Sequence, residues 1–234
     1  MTDVLDNPVW AALTGAHAHI GRLNGQATRY PSDVAPFAAL RPGAGPSAWA
    51  DLGEITGPDE VVAVFGDPVA PPAEWEIIEE FAGVQLVDTG LRPATDPEVV
   101  RLGPDDIDEM LDLVSRTEPG PFRRRTIELG TYLGIRREGR LIAMGGERFH
   151  PRGWTEISAV CTDPEHRGQG LATRLVRAVA AGIRERGETS FMHAAADNTN
   201  ALRLYGAIGF TLRRKLTITV LQKYGRERHT DSGA

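Results

Sequence analysis

The sequence predicts an α/β protein with a mixed, mostly antiparallel central sheet and flanking helices, preceded by a smaller α/β module. Three observations predict it. Strand-like runs at 131–136, 140–149 and 154–161 are separated by the turn signals Glu138-Gly139 and Pro151-Arg152-Gly153, which implies two hairpins in series. A loop bearing Gly168 and Gly170 follows the third run and opens an apolar-faced helix over about 170–185. Beyond it come a strand at 190–194, a helix at 199–208 and a strand near 214–221.

The chain has 234 residues, enough for one large or two small cores. With 41% hydrophobic and 25% charged residues, the composition is that of a folded globular chain. Near the start, Asn7-Pro8 supplies an N-cap followed by proline at the first helical position, and Val9, Ala12, Leu13, Ala16 and Ile20 continue a helix to about Gly21. The stretch 30–57 is rich in Pro, Gly and Ala and reads as irregular structure with short elements. A β-branched run at 60–65 ends at Gly66-Asp67-Pro68, and 72–81 reads as a helix before a short strand at 84–87. Residues 1–90 thus form a small α/β module without an intact glycine signature.

A boundary is expected at 91–97, where two prolines fall and the charge balance changes. Residues 1–90 carry 13 acids against 3 bases, residues 91–234 carry 19 against 23. The second module, 95–222, begins with a strand at 99–102. A helix follows in which Pro104, Asp105 and Asp106 suit the first turn and Ile107, Met110, Leu111 and Val114 supply the buried face. Residues 223–234 read as a flexible tail.

Several function classes are disfavoured. A net charge of −6 and the lack of a dense Lys/Arg run argue against a nucleic-acid partner. No apolar run approaches the roughly 18 residues of a membrane span, and Met1 to Asp6 lack the basic-then-apolar pattern of a leader, so a cytoplasmic location is expected. The lone Cys161 cannot form an internal disulfide and reads as a small buried strand residue. His17 and His19 are two apart on a helix and face different directions, so no metal is expected.

The stretch from Ile157 to Leu175 reads strand, glycine loop, helix. Leu171, Leu175, Val176, Val179 and Ile183 form one apolar helical face, which leaves the helix N-terminus at the loop. Unpaired N–H groups therefore converge at 168–173, where the helix dipole favours a phosphate or pyrophosphate. Spacing alone leaves open whether this loop binds an anion or is only a turn. A Walker loop is excluded because Leu171-Ala172 follow Gly170 where Lys-Ser/Thr is required. A dinucleotide fingerprint is excluded by Thr173 and by the absence of an acid after the next strand, at His193-Ala194-Ala195.

The run Arg167-Gly168-Gln169-Gly170-Leu171-Ala172 resembles the acetyl-CoA signature of the GNAT superfamily, Arg/Gln-x-x-Gly-x-Gly/Ala. The segment Asn198 to Phe210, with Asn198, Asn200, Arg203, Tyr205 and Gly209, resembles the second signature of the same superfamily and stands at the expected distance. The resemblance covers about 95–222 and implies the GNAT fold. The final segment is similar to the C-terminal domains of glycine N-acyltransferase-like proteins.

What the resemblance implies is an N-acetyltransferase that uses acetyl-CoA as cosubstrate and passes the acetyl group to a primary amine by direct transfer in a ternary complex. The acceptor would be a small-molecule amine or a peptide, and a homodimer is compatible. The backbone of Val160, Cys161 and Thr162 would meet the pantetheine arm in a split between parallel strands. Arg167, Gly168, Gln169, Gly170, Leu171, Ala172 and Thr173 would hold the pyrophosphate, and Asn198, Asn200 and Arg203 would line the far side; capping a helix is the plainer role for Asn198. Tyr205 corresponds to the family's general acid near the sulfur, while a tyrosine on an apolar helix face is otherwise a core residue. A backbone N–H near Val160 would meet the oxyanion. Glu156 and Glu147 are the candidate bases, though either fits an ordinary strand position, and Trp154 occupies the place where some members carry the glutamate. His193 is a secondary candidate for base or substrate contact, with a structural role as its alternative. A CoA-binding sensor without turnover is the competing function, and a structural α/β protein the third.

Overall fold

The computed structural model describes residues 3–66 and 70–224. The first half supplies α1 (Pro8–Leu13), β1 (Arg22–Asn24), β2 (Ala27–Arg29), β3 (Phe37–Leu40), α2 (Ala48–Glu54), β4 (Val61–Gly66) and β5 (Trp75–Asp88). The second supplies β6 (Val99–Leu102), α3 (Ile107–Thr117), β7 (Tyr132–Arg137), β8 (Arg140–Glu147), β9 (Trp154–Thr162), α4 (Leu171–Glu185), β10 (Thr189–Ala195), α5 (Thr199–Ile208) and β11 (Phe210–Lys223). The expected tail lies outside the described residues beyond Tyr224.

All the strands join in one eleven-stranded sheet, ordered β1-β2-β3-β4-β11-β5-β10-β9-β8-β7-β6. Among the described residues only β3/β4 and β9/β10 pair in parallel. The expected hairpins β7–β8–β9 are present, and α4 and α5 fall where apolar periodicity places them. The stretch 91–97 leaves the sheet unbroken, because β5 from the first half is paired on both edges with strands of the second, β10 and β11.

Two local expectations are corrected. Residues 72–81, expected as a helix, lie largely within β5. Trp75, Ile78 and Phe81 recur at a spacing of three, which mimics a helix, but β11 pairs with β5 from Trp75↔Lys223 to Phe210↔Asp88 and imposes the extended state. The first helix ends at Leu13 rather than near Gly21, at Thr14-Gly15, where the Thr14 hydroxyl bonds back to the Trp10 carbonyl at 2.7 Å. Its start is as expected, with the Asn7 side chain accepting from the Trp10 N–H at 3.1 Å.

Helices cover both faces of the second-half sheet. Met110 and Leu113 of α3 pack with Tyr132 and Met144, whereas Leu171 and Leu175 of α4 pack with Ile135 and Ala143. Leu175, Val176 and Ile183 are fully buried, each worth roughly 1.5–3 kcal/mol relative to exposure. This seating fixes the N-terminus of α4 at the end of β9. Among the described residues no helix is long and apolar enough to cross a membrane.

Candidate active site

The site begins where two strands part. β9 pairs with β10 only over 154–156 against 189–191, yet β9 runs on to Thr162 and β10 to Ala195. A bulge sits in β9, with Ala159 at φ 53° and a register shift against β8 between Met144 and Gly146. The β10-facing edge of 157–162, including Val160, Cys161 and Thr162, therefore has no strand partner. Cys161 is buried, as expected of a strand residue, and burial pushes its thiol pKa up.

At the end of β9, Asp163 accepts from the Glu165 N–H at 3.0 Å and turns the chain into the glycine loop. Gly168 and Gly170 adopt φ 78° and 74°, a left-handed region that glycine enters without strain. Nothing stands within 4 Å in front of either. Gly170 is the N-cap of α4 and no side chain caps that helix, so its first N–H groups stay open to an anion. By contrast α5 is capped, with the Ala201 N–H donating to Asn198 Oδ1 at 3.1 Å.

One cavity of about 1070 Å³ joins the loop, the split and a sheet face beyond it. Val160, Cys161, Thr162, Arg167, Gly168, Gly170, Leu171, Ala172, Thr173, Asn198, Asn200 and Tyr205 all line it, but Gln169 and Arg203 do not. Arg203 is exposed on α5. Burial pushes the Tyr205 hydroxyl up to about 12, with the nearby Cys161 adding to the shift. It is held protonated at neutral pH.

The two candidate glutamates sit outside the cavity lining. Glu147 is buried, accepting from the Arg186 guanidinium at 2.8 Å and the Thr131 N–H at 3.1 Å. Glu156 is fully buried, gripped by Arg148 Nε at 2.8 Å and Nη2 at 2.6 Å, and accepts from His193 Nδ1 at 2.7 Å. Burial alone would raise its pKa, but the Arg148 guanidinium, together with the hydrogen bonds from Arg148 and His193, outweighs it and holds Glu156 down to about 2. A carboxylate so held is a weak base, and its oxygens are already taken by Arg148 and His193.

His193 does line the cavity, as does Arg148. On the strand next to it, directly opposite in register, Gln85 completes the arrangement. Arg213 donates to Gln85 Oε1 at 2.8 Å, which turns the Gln85 amide nitrogen to the Leu5 carbonyl at 2.9 Å and to His193 Nε2 at 3.1 Å. The partners thus assign the proton to Nδ1, facing Glu156, and the lone pair to Nε2. Arg148, Gln85 and the cavity wall on β4, β5 and β11 were not legible in the sequence; the β-branched run at 60–65 marked a strand without showing which of its faces meets the cavity. His17 packs against Tyr30 and His150, with Nδ1 at 2.8 Å from the Tyr30 hydroxyl. Among the described residues no group of three or more metal-ligating side chains gathers.

A family model described as FR47-like protein matches residues 132–218. A solved GNAT-family protein from Novosphingobium aromaticivorans, described as an acetyltransferase, is 39% identical over 96% of this chain and 100% of its own, with a TM-score of 0.88. A GCN5-related N-acetyltransferase from Kribbella flavida (17% identical, 92% of this chain, 95% of its own, TM-score 0.58) shares the fold. So does a GCN5-related N-acetyltransferase-like protein from Streptococcus suis (14% identical, 92% of each chain, TM-score 0.52). No curated protein matches. With the split strands, the open glycine loop and full-length similarity to a GNAT protein in agreement, the chain belongs to the GNAT family of acetyltransferases.

Proposed function

We propose that the protein transfers an acetyl group from acetyl-CoA to a primary amine, with both substrates bound at once. The observation that carries this is the single cavity running from the uncapped N-terminus of α4, through the β9–β10 split, to a sheet face bearing His193. The open N–H groups at 171–173 and the space before Gly168 and Gly170 suit a pyrophosphate, and the unpartnered edge of β9 suits the amide groups of a pantetheine arm. When bound, acetyl-CoA supplies an acyl group already activated as a thioester.

The chain's own part is to orient groups and manage two protons. His193 Nε2 exchanges its bond to Gln85 for the amine proton, while Glu156 holds the ring and balances the charge it gains. Tyr205 keeps its proton on Oη, available to a leaving sulfur. A backbone N–H near Val160, on the edge of β9 that β10 leaves unpaired, would meet the charge that develops on the acyl oxygen. Direct transfer fits Cys161, whose thiol is buried and neutral rather than activated as a nucleophile. Calorimetric titration with acetyl-CoA and CoA, followed by thiol release against a panel of amines, tests the proposal. Micromolar binding with amine-dependent release is expected. Binding without release across the panel would favour a sensor, and no binding would reject the cradle.

A further inference from the structure

Resting on the acyl-transfer reading, we infer that the acceptor is a primary amine on an apolar body, ring-bearing or branched, with neither a carboxylate nor a second cationic group. Beyond the β9–β10 split, the part of the cavity built by β3, β4, β5 and β11 is apolar. There Phe37, Val61, Phe65, Phe81, Ile218 and Val220 line the cavity. The register sets Ile218 against both Phe81 and Phe65, and Val220 against both Glu79 and Ala63, so these side chains form one continuous face across β4, β11 and β5. Such a face binds by excluding water from an apolar group.

Charge on this strand-built wall is sparse. Among the described residues Glu79 is its one carboxylate, exposed and placed to meet a single ammonium on entry. Its neighbour Glu80 is turned aside, accepting from the Thr219 hydroxyl at 3.0 Å. A polyamine or aminosugar with several cations would find one partner on this wall, the cavity's other carboxylate, Glu118, standing exposed at the C-terminal end of α3.

A carboxylated acceptor fares no better at Arg148. The guanidinium offers Nε and Nη2 to Glu156, and its carbon lies 4.7 Å from the ring centres of both Phe37 and Phe149. The two-pronged fork that an α-carboxylate would use is spent within the protein. Arg123, exposed on the loop between α3 and β7, is the remaining arginine at the cavity outside the glycine loop, and the test includes it.

The experiment compares kcat/KM for 2-phenylethylamine, L-phenylalanine and spermidine with acetyl-CoA, in the native protein and in Phe81→Ser and Arg123→Ala. Phe81 is 37% exposed, so its loss leaves the core intact. Expected are a preference of at least about tenfold for 2-phenylethylamine, and about a tenfold rise in its KM in Phe81→Ser with CoA affinity unchanged, the scale of one partly buried ring. Calorimetry of 2-phenylethylamine with the CoA-saturated protein should show the same loss of affinity. Preference for spermidine, or for L-phenylalanine with dependence on Arg123, overturns the acceptor class while acyl transfer stands. Failure of CoA to bind overturns the underlying function and this inference with it.

Discussion

His193 Nδ1 donates to Glu156 Oε1 at 2.7 Å while Arg148 clamps both oxygens of the same carboxylate. The three side chains form a buried chain in which Arg148 and Glu156 close one charge pair, and His193 Nε2, bonded to the Gln85 amide, is the ring nitrogen that faces away from Glu156. Removing different members should therefore have different consequences. His193→Ala should lower kcat by about 10²–10⁴-fold with CoA affinity retained, as expected for loss of a general base. A kcat within a few-fold of the native value would remove His193 from that role.

Glu156→Gln should chiefly cost stability, because it leaves the Arg148 guanidinium buried without a counter-charge, worth about 3–5 kcal/mol. The native carboxyl is held at about 2, below its ordinary 4.5, so its contribution is complete above about pH 4.5 and is lost as pH falls through about 2. Urea melts of both proteins from pH 7 to 3 should show the acid-sensitive component shrinking in the variant. Equal stability at pH 7 would mean that the ion pair is replaceable.

Tyr205→Phe should lower kcat while leaving the CoA dissociation constant within about threefold, since no hydrogen bond to the protein holds its hydroxyl among the described residues. Calorimetry and steady-state rates measured on the same preparation separate the two effects. Unchanged kcat would assign Tyr205 to the core alone.

Gly170→Glu should weaken CoA binding by more than 100-fold. The new residue must hold φ near 74° and places a carboxylate beside the open N–H groups of α4, where it competes with the pyrophosphate. Native affinity in this variant would relocate the anion site.

Gly209→Ala should destabilise by at least about 2 kcal/mol. Gly209 has φ 114°, and a Cβ there would lie 2.4 Å from the Gly90 carbonyl carbon and the Leu91 nitrogen. Its carbonyl also accepts from the Thr89 and Gly90 N–H groups, each at 3.0 Å. The glycine of the second signature thus joins the turn after α5 to the turn after β5. A melting temperature equal to that of the native protein would show that this contact is soft.

Local chemistry made the cofactor side legible. Leu171, Leu175, Val179 and Ile183 declare α4 by their own spacing, and Gly168 and Gly170 mark the loop before it. The acceptor side was illegible for a reason equally physical. Its wall pairs β4 with β11, so that Phe65 stands against Ile218, and no local pattern reveals a partner about 150 residues away. The Arg148–Glu156 pair likewise depends on a turn bringing the ends of β8 and β9 together. Glu156 read alone is a strand carboxylate free to act as base; beside Arg148 it is a fixed anion. Trp75, Ile78 and Phe81 misled because a spacing of three is shared by helices and by strands exposed on both faces.

The position of β11 constrains how the molecule can be made. β4 and β5 are neighbours in the chain, yet the last strand lies between them. During synthesis their native pairing must wait, with the facing edges unsatisfied, until β11 has left the ribosome. Contacts between such distant segments form slowly and leave strand edges open to aggregation. A chain stalled before residue 210 would hold the whole glycine loop and still lack the strand that joins its two halves. Expression of this protein should accordingly depend on chaperone capacity more than on the stability of the finished fold.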